Sequence, residues 1–293
     1  MNGIFNAQLG YAMAALYVLL GVVSTGVGLA LGSRTSQLRD QVNAWWFIFP
    51  IVSCGLILYP VGAPLLALVI CGLAARELAP YCGVDSGRFL GIAIMSLLAA
   101  VCAGSFAPSS LPAAFALVSI AAAANLWRSR ELTALPWLLF ALTCFGISFI
   151  PAFVHLPFGP RDNLSWLFYL FIVTALNDIA QFTSGKLFGR QKIVPTISPQ
   201  KTWQGLLGGV VISVLLSLVL GSYLGLGQPA WLATIAVLLS VGGFAGDVMF
   251  SAAKRKLGIK DFSNLIPGHG GMLDRADSLV VTAPLLYLLL NYR

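Results

Sequence analysis

Charged residues are scarce in this sequence, and their scarcity excludes a large class of proteins. Only 9% of the 293 residues are Asp, Glu, Lys or Arg, and 58% are hydrophobic, whereas soluble globular proteins carry roughly 25% charged residues. The chain cannot cover a water-facing surface, so a soluble globular protein is excluded. Lys and Arg outnumber Asp and Glu by 17 to 10, but they fall in short clusters between apolar runs. We therefore expect no nucleic-acid partner.

Patterns typical of disulfide frameworks, zinc sites and P-loop nucleotide hydrolases are also missing. No CxxC pair occurs among the five cysteines, which are Cys54, Cys71, Cys82, Cys102 and Cys144. We interpret them as small apolar packing residues. No GxxxxGK[ST] phosphate loop is present. The first apolar run is long enough to span a bilayer and lacks a preceding basic region, so it predicts a membrane helix rather than a cleavable signal.

Apolar runs recur along the whole chain at lengths that suit a bilayer core of about 30 Å. Helices are expected because a strand with an open edge would leave backbone groups unpaired in lipid. The ten candidate spans are 8–31, 44–60, 62–76, 89–106, 111–127, 134–152, 164–185, 205–226, 230–252 and 278–291. The third and tenth are short, so the sequence predicts an all-α polytopic membrane protein with nine to ten transmembrane helices.

The distribution of Lys and Arg predicts the orientation of these spans. Basic residues follow every odd-numbered span, and 15 of the 17 fall in these alternate loops. Since Lys and Arg are enriched in cytoplasmic loops, this face is expected to be cytoplasmic, with both termini outside. We expect an integral protein of a bacterial inner (plasma) membrane. Its two largest loops, 186–204 and 253–277, and its active site would face the cytoplasm.

The acidic residues near the end of the sequence form a candidate metal site. Asp247, Ser251 and Lys254 are spaced to share one helix face, and a carboxylate at membrane depth indicates a functional site by default. Asp274 and Asp277 follow at i and i+3, so both carboxylates point from one face as the last span begins. Asp247, Asp274 and Asp277 together offer the oxygen ligands that Mg²⁺ prefers.

Basic residues and glycines surround these carboxylates. The cations are Lys254, Arg255, Lys260 and Arg275. Gly270 and Gly271 would let backbone N–H groups approach an anion closely. Carboxylates mixed with cations suit a metal-bound polyphosphate. The alternatives are a structural ion pair of Asp247 with Lys254 or Arg255 and a solvated charge cluster.

The loop 186–204 carries a second group of candidate ligands. Ser198, Lys201 and Thr202 combine a cation with hydroxyl groups, and we predict that they bind nucleotide or phosphate. His269, in the other large loop, either hydrogen-bonds a phosphate or orders the glycine turn. Spacing alone supports a membrane enzyme or a transporter that acts on a phosphate compound.

The segment Ser251–Asp277 resembles the signature of the phosphatidate cytidylyltransferase (CDP-diglyceride synthetase) family. The matching residues are Ser251, Lys254, Arg255, Lys260, Asp261, His269, Gly270, Gly271, Asp274, Arg275 and Asp277. The stretch 185–209 is similar to a second family segment, and Arg76-Glu77 matches a family Glu that ends an early helix hairpin. Phe250 replaces a family Glu, and Asp178-Ile179-Ala180-Gln181-Phe182 replaces an Asp-x-x-Ala-Tyr pattern. These departures bear on the lipid acceptor and leave open a divergent paralogous branch.

The resemblance implies transfer of CMP from CTP to phosphatidate, with CDP-diacylglycerol and pyrophosphate as products. Two anions must meet, so catalysis is expected to depend on positioning and charge neutralisation. The implied catalytic residues are Asp247, Lys254, Asp274 and Asp277. The implied ligands of Mg²⁺ are Asp247, Asp274 and Asp277, with a second cation left open. The implied substrate-binding residues are Ser198, Lys201, Thr202, Ser251, Arg255, Lys260, His269, Gly270, Gly271 and Arg275.

Polar residues collect in the C-terminal part of the chain, which predicts two regions. Residues 1–160 are expected to form N-terminal transmembrane helices that serve as a scaffold or lipid-facing wall. Residues 161–293 are expected to form a C-terminal transmembrane catalytic region with cytoplasmic motif loops. The expected partners are CTP, phosphatidate or another lipid phosphate, and membrane lipids, and a homodimer stays open.

Two other functions remain as alternatives. A CTP-dependent lipid kinase of the polyprenol type would use the same nucleotide, but the intact His-Gly-Gly and Asp-Arg-x-Asp run favours the cytidylyltransferase. A non-enzymatic transporter of phosphorylated solutes should show inverted repeats and charges at the midplane of several helices. The acidic residues of this chain instead collect at one face.

Overall fold

The computed structural model describes residues 6–31, 37–83, 86–128, 135–263, 265 and 270–292. Within these ranges the chain forms helices joined by turns, and its one isolated backbone bridge pairs Lys192 with Thr202. The helices are α1 (Ala7–Leu31), α2 (Gln37–Ile57), α3 (Gly62–Leu78), α4 (Ser86–Phe106), α5 (Leu111–Arg128), α6 (Leu135–Ile147), α7 (Phe149–Ala152), α8 (Pro160–Phe188), α9 (Trp203–Tyr223), α10 (Pro229–Lys256) and α11 (Leu273–Asn291). The predicted all-α architecture is confirmed.

Seven helical stretches in the described part of the chain are long and apolar enough to cross a membrane. They are Ala7–Ala30, Gly62–Tyr81, Gly87–Phe106, Leu135–His155, Pro160–Phe188, Trp203–Tyr223 and Pro229–Lys256. Two shorter apolar helices, Val42–Ile57 and Pro108–Ile120, coincide with the predicted second and fifth spans. The chain is therefore a polytopic helical membrane protein.

The tenth predicted span, 278–291, corresponds to only part of a helix. The corresponding helix α11 begins earlier, at Leu273, and carries Asp274, Arg275 and Asp277 in its first two turns. Residues along its whole length are buried, and α3, α6, α7, α8 and α10 pack against it. The charged start of α11 is thus sheltered by protein instead of lipid, which allows three charged residues at the beginning of an otherwise apolar helix.

The sixth predicted span, 134–152, is broken near Ser148. Helix α6 ends at Ile147, and α7 and a 3-10 turn over Phe153–His155 continue the path. The Ser148 hydroxyl donates to the Cys144 carbonyl at 2.6 Å, and Pro151 has no N–H to donate to the preceding turn. Both features weaken regular α-helical hydrogen bonding at this position.

Small residues bring the helices that carry the polar loops close together. On α9 the buried residues recur every four positions, at Gly205, Gly209, Ser213, Ser217 and Gly221. Side chains of this size allow close helix approach in membranes, and this stripe faces α8 and α10. The opposite face of α9 exposes large apolar side chains, as expected for a helix in contact with lipid.

A buried amide joins three of these helices. The Asn177 Oδ1 atom on α8 accepts hydrogen bonds from the Ser213 hydroxyl on α9 at 3.1 Å and the Ser240 hydroxyl on α10 at 2.6 Å. Buried polar groups of this kind must be satisfied within the protein. Asn177 therefore fixes the relative positions of α8, α9 and α10 just below the polar loops.

Local signals define where these helices begin. Pro160 and Pro229 occupy the first turns of α8 and α10, where a missing N–H is tolerated. Thr202 is the N-cap of α9, and its hydroxyl accepts a hydrogen bond from the Gly205 N–H at 3.1 Å. The start of α9 is therefore set by the residue that directly follows Lys201.

The contact between α6 and α11 provides a test of the packing. A methyl group at Gly146 would lie well inside van der Waals distance of the Val280 carbonyl oxygen, whereas one at Gly72 on α3 would meet nothing within 4 Å. We expect Gly146→Ala to lower the free energy of unfolding by about 1–3 kcal/mol through overpacking. Gly72→Ala should be neutral or stabilising by up to about 1 kcal/mol because alanine favours helix. Thermal unfolding in detergent measures both, and equal melting temperatures for the two variants would contradict the packing described.

Candidate active site

Two loops meet at one end of the helical bundle. One joins α8 to α9 and the other joins α10 to α11. The Arg255 Nε atom donates to the Ile197 carbonyl at 3.1 Å, and Lys201 forms a salt bridge with Asp247. The prediction that the two largest loops lie at the same end of the spans is confirmed. The predicted site residue His269 lies outside the described residues.

The α8–α9 loop is folded back on itself, which positions Lys201. The Ile193 N–H donates to the Lys201 carbonyl at 2.9 Å, and the Lys201 N–H donates to the Ser198 carbonyl at 3.2 Å. The Gln204 Oε1 atom accepts hydrogen bonds from the N–H groups of Arg190 and Gln191 at 3.0 and 3.2 Å. Lys201 therefore extends from a turn that is hydrogen-bonded on both sides.

Asp247 faces two of the predicted ligands. One carboxylate oxygen forms the salt bridge with the Lys201 ammonium, and the other accepts a hydrogen bond from the Ser251 hydroxyl at 3.2 Å. The shared helix face of Asp247 and Ser251 is thus confirmed. The alternative that Asp247 pairs with Lys254 or Arg255 is wrong in this structure, because the partner of Asp247 comes from the other loop.

The environment of Lys201 keeps it positively charged. Burial alone would lower the pKa of the Lys201 ammonium, but the facing Asp247 carboxylate raises it, and the negative charges of Asp178 and Asp277 raise it further. The net pKa lies above the ordinary value of 10.5. Lys201 is therefore a fixed cation at physiological pH.

A second ion pair lies deeper in the protein. The Lys254 Nζ atom is 2.6 Å from the Asp274 Oδ1 atom, and the two side chains are only 11% and 2% exposed. The other Asp274 oxygen accepts hydrogen bonds from the N–H groups of Phe262 at 3.0 Å and Gly271 at 2.9 Å. Asp274 therefore joins the end of α10 to the loop that precedes α11.

Asp277 completes a group of interacting carboxylates. Asp178, Asp247 and Asp277 lie close enough to repel one another electrostatically. Asp277 accepts a hydrogen bond from the Ser278 N–H at 2.8 Å, and Asp178 accepts one from the Ser278 hydroxyl at 3.1 Å. The carboxylate atoms of these three residues are all oxygens, which is the ligand type that a hard divalent cation prefers.

The structure does not gather the three predicted metal ligands into one group. Among the described residues, no three carboxylate, imidazole or thiolate side chains are arranged to hold a metal ion. Asp247 and Asp277 interact electrostatically, whereas both oxygens of Asp274 have partners in the Lys254 pair and the loop backbone. Metal ligation by Asp247, Asp274 and Asp277 stays a prediction.

The remaining predicted ligands differ in their surroundings. Lys260 and Arg275 are exposed, and Ser198 is half-buried. Arg255 donates to the carbonyls of Ile197 and Ile259, so part of its guanidinium organises the loops. Thr202 uses its hydroxyl to cap α9. Their predicted contacts with substrate stay predictions.

Two further acidic residues belong to this region and were given no site role from the sequence. Asp178 interacts electrostatically with Lys201 and Asp247. Glu77, at the end of α3, accepts hydrogen bonds from the N–H groups of Met272 and Leu273. A carboxylate inside an apolar span is a signal that could have identified both.

The fold and the site together define the class of this protein. It is a polytopic helical membrane protein whose carboxylates and lysines converge between two loops at one end of the bundle. Residues 39–293 match the model of the cytidylyltransferase family, and the chain belongs to that family. The resemblance carried by Ser251–Asp277 is confirmed. The match begins after α1, a helix that packs mainly against α2.

Individual relatives agree with this membership over shorter stretches. The chain is 44% identical over 152 residues to the uncharacterized protein YnbB of Escherichia coli (strain K12), covering 52% of this chain and 51% of the relative. It is 38% identical over 130 residues to the phosphatidate cytidylyltransferase of Staphylococcus haemolyticus (strain JCSC1435), covering 44% and 50%. It is 36% identical over 133 residues to that of Mycobacterium tuberculosis (strain ATCC 25618 / H37Rv), covering 45% and 40%. The chain spans about half the length of the curated relatives it matches.

The buried pair of Lys254 and Asp274 can be tested by its effect on stability. Removing one partner of a buried ion pair leaves the other charge uncompensated and costs about 3–5 kcal/mol. We expect Lys254→Met to lower the melting temperature in detergent strongly, while the same change at the exposed Lys186 has little effect. Adding Asp274→Asn to Lys254→Met should recover part of the loss. Strictly additive effects of the two changes would show that the pair is not coupled.

Proposed function

We propose that this protein transfers CMP from CTP to phosphatidate and releases pyrophosphate, as a cytidylyltransferase of phospholipid biosynthesis. The observation that carries the proposal is the meeting of Lys201 and Asp247 from two different loops, beside Asp178 and Asp277. Membership of the cytidylyltransferase family supports the use of CTP. Relatives named phosphatidate cytidylyltransferase support phosphatidate as the acceptor.

The reaction joins two anions, so neutralisation of charge is the main task of the site. A phosphate oxygen of the lipid attacks the α-phosphorus of CTP, and the bond from that phosphorus to the bridging oxygen of the β-phosphate breaks. The electron pair leaves with pyrophosphate. Fixed cations near the transferring phosphoryl group lower the barrier to such a step.

The side chains of Lys201 and Lys254 differ in solvent exposure, and we assign them different roles on that basis. The Lys201 and Asp247 side chains are 20% and 23% exposed, so a substrate can reach them. We assign Lys201 to phosphate contact, with Arg275 and Lys260 on the other loop as further exposed cations. Lys254 and Asp274 are almost fully buried. We assign this pair to holding the α10–α11 loop in place.

We propose that some of these carboxylates bind a Mg²⁺ ion. Asp247 and Asp277 would hold it, with Asp178 close by, and Asp274 would join only by exchanging its present partners. When bound, Mg²⁺ would neutralise the triphosphate and stabilise the leaving pyrophosphate. Asp247 would also keep Lys201 and Ser251 oriented toward the same point.

The proposed location is a bacterial inner membrane, with the site at the cytoplasmic face. The loops that carry the site contain most of the basic residues of the C-terminal half, and such loops are cytoplasmic by the positive-inside rule. CTP is available on that side, and phosphatidate can reach the site from the adjacent leaflet.

Labelled CTP tests the reaction directly. Purified protein in mixed micelles should transfer label from [α-³²P]CTP, but not from [γ-³²P]CTP, into lipid when phosphatidate is the acceptor. Polyprenyl phosphate, lysophosphatidate and polyprenol serve as comparison acceptors. Transfer of the γ label would identify a lipid kinase, and no labelled lipid with any acceptor would refute the enzyme. Transfer of the α label to another lipid phosphate alone would retain the cytidylyltransferase and overturn phosphatidate as its acceptor.

The role of the carboxylates is tested by removing one charge. We expect Asp247→Asn to lower kcat at least about 100-fold because it removes a ligand of the proposed cation and frees Lys201. Asp162→Asn, in the exposed first turn of α8, is the matched control and should retain activity. The measurement is initial rate against Mg²⁺ concentration, with EDTA as the metal-free reference. A wild-type rate in EDTA would contradict the metal requirement.

A further inference from the structure

Glu77 lies in the N-terminal half of the chain but contacts the site loop of the C-terminal half. It is the penultimate residue of α3 and is 5% exposed. Its carboxylate accepts hydrogen bonds from the Met272 N–H at 2.7 Å, the Leu273 N–H at 2.9 Å and the Ser263 hydroxyl at 2.7 Å. One buried side chain therefore contacts the α10–α11 connection at two places, at Ser263 and at the start of α11.

The two backbone donors belong to the N-cap residue and the first residue of α11. Met272 occupies the N-cap position and provides no capping side chain of its own. The first N–H groups of a helix have no partner within the helix, and a negative charge near them is favourable. Glu77, which lies on α3, supplies the missing hydrogen-bond acceptors. It therefore caps the N-terminus of α11 although it is distant from α11 in the sequence.

Two glycines make this approach possible. Gly270 has a φ of +80°, a conformation that glycine adopts readily. A methyl group at Gly271 would lie 2.6 Å from the Glu77 Oε2 atom, and one at Gly270 would lie 3.0 Å from the Asp274 Oδ2 atom. The missing side chains thus leave room for two carboxylates beside the same turn.

Glu77 and Asp274 accept hydrogen bonds from different backbone N–H groups of this turn. The Gly271 N–H donates to Asp274, and the next two N–H groups donate to Glu77. The first two turns of α11 carry Asp274 and Asp277. Any shift of the turn therefore moves both carboxylates relative to Asp247 on α10.

We propose that Glu77 is a positioning residue that sets the start of α11 and thereby the placement of Asp274 and Asp277. It contacts no reacting group, and its effect on catalysis passes through the turn that it holds. The effect on catalysis depends on the proposed function, whereas the effect on the turn does not.

The variant Glu77→Gln is suited to test this role. Its side chain has nearly the same size, but only one of its two terminal atoms can accept a hydrogen bond, and the other is a donor. One of the two helix N–H groups would then face another donor. Ser263→Ala removes a single hydrogen bond to the same carboxylate and gives a milder change if Glu77→Gln folds poorly. Asp162→Asn is the matched control, since it neutralises a carboxylate in the first turn of α8.

Hydrogen–deuterium exchange tests the turn without reference to activity. In Glu77→Gln we expect exchange of the amides at 271–273 to become at least about tenfold faster, because a hydrogen bond to a charged acceptor is lost. Ser263→Ala should accelerate the same amides by a smaller factor, and Asp162→Asn should leave them unchanged. Wild-type exchange at 271–273 in Glu77→Gln would overturn the proposal even if the protein makes no CDP-lipid.

Metal dependence separates positioning from simple stabilisation. We expect Glu77→Gln to raise the half-saturating Mg²⁺ concentration of CDP-lipid formation by about 10- to 100-fold, as loss of a group that orients metal ligands does. The KM for CTP at saturating Mg²⁺ should change less.

A loss of rate that merely follows the loss of folded protein, with an unchanged Mg²⁺ response, would show a structural role only and overturn the assignment. Absence of CDP-lipid in the wild type would instead refute the proposed function and leave the exchange result as the test of Glu77.

Discussion

Charges inside a membrane protein need compensating partners, because an unpaired charge in a medium of low dielectric constant is costly. Lys201 reaches Asp247 from the neighbouring loop, and Lys254 pairs with Asp274 across the loop that follows α10. These two pairs bring the ends of α8 and α10 and the starts of α9 and α11 to one place. The geometry of the site follows from the need to satisfy these charges.

The close packing of α8, α9 and α10 brings the loops near enough for these two ion pairs to form. The stripe of Gly and Ser along α9 permits close approach to α8 and α10, and Asn177 ties the three helices together with hydrogen bonds. Helix α11 packs against α8 and α10 and is buried along its length. Close helix packing brings the paired groups within reach, and the ion pairs in turn stabilise the close packing. At a larger separation between the helices, neither would form.

Hydropathy and helical spacing were sufficient to predict most of the architecture. Nine predicted spans have an apolar helix in the expected place, and the i to i+4 spacing of Asp247 and Ser251 predicted their contact. Sequence spacing carries no information about side chains that meet from distant segments. The pairing of Lys201 with Asp247 and the contact of Glu77 with Met272 span 46 and 195 positions. The burial of α11 was missed for the same reason, because its neighbours come from five other helices.

The salt bridge between Lys201 and Asp247 has a consequence for how a polyanion enters this protein. The ammonium group is already matched with a carboxylate, so an incoming phosphate competes with an internal anion as well as with water. When a phosphate binds, Lys201 exchanges one ionic partner for another. The binding free energy then reflects the difference between the attraction of Lys201 to the phosphate and its attraction to Asp247. Such an exchange favours ligands that bring their own counter-cation, because the displaced carboxylate gains a new partner at the moment it loses the old one.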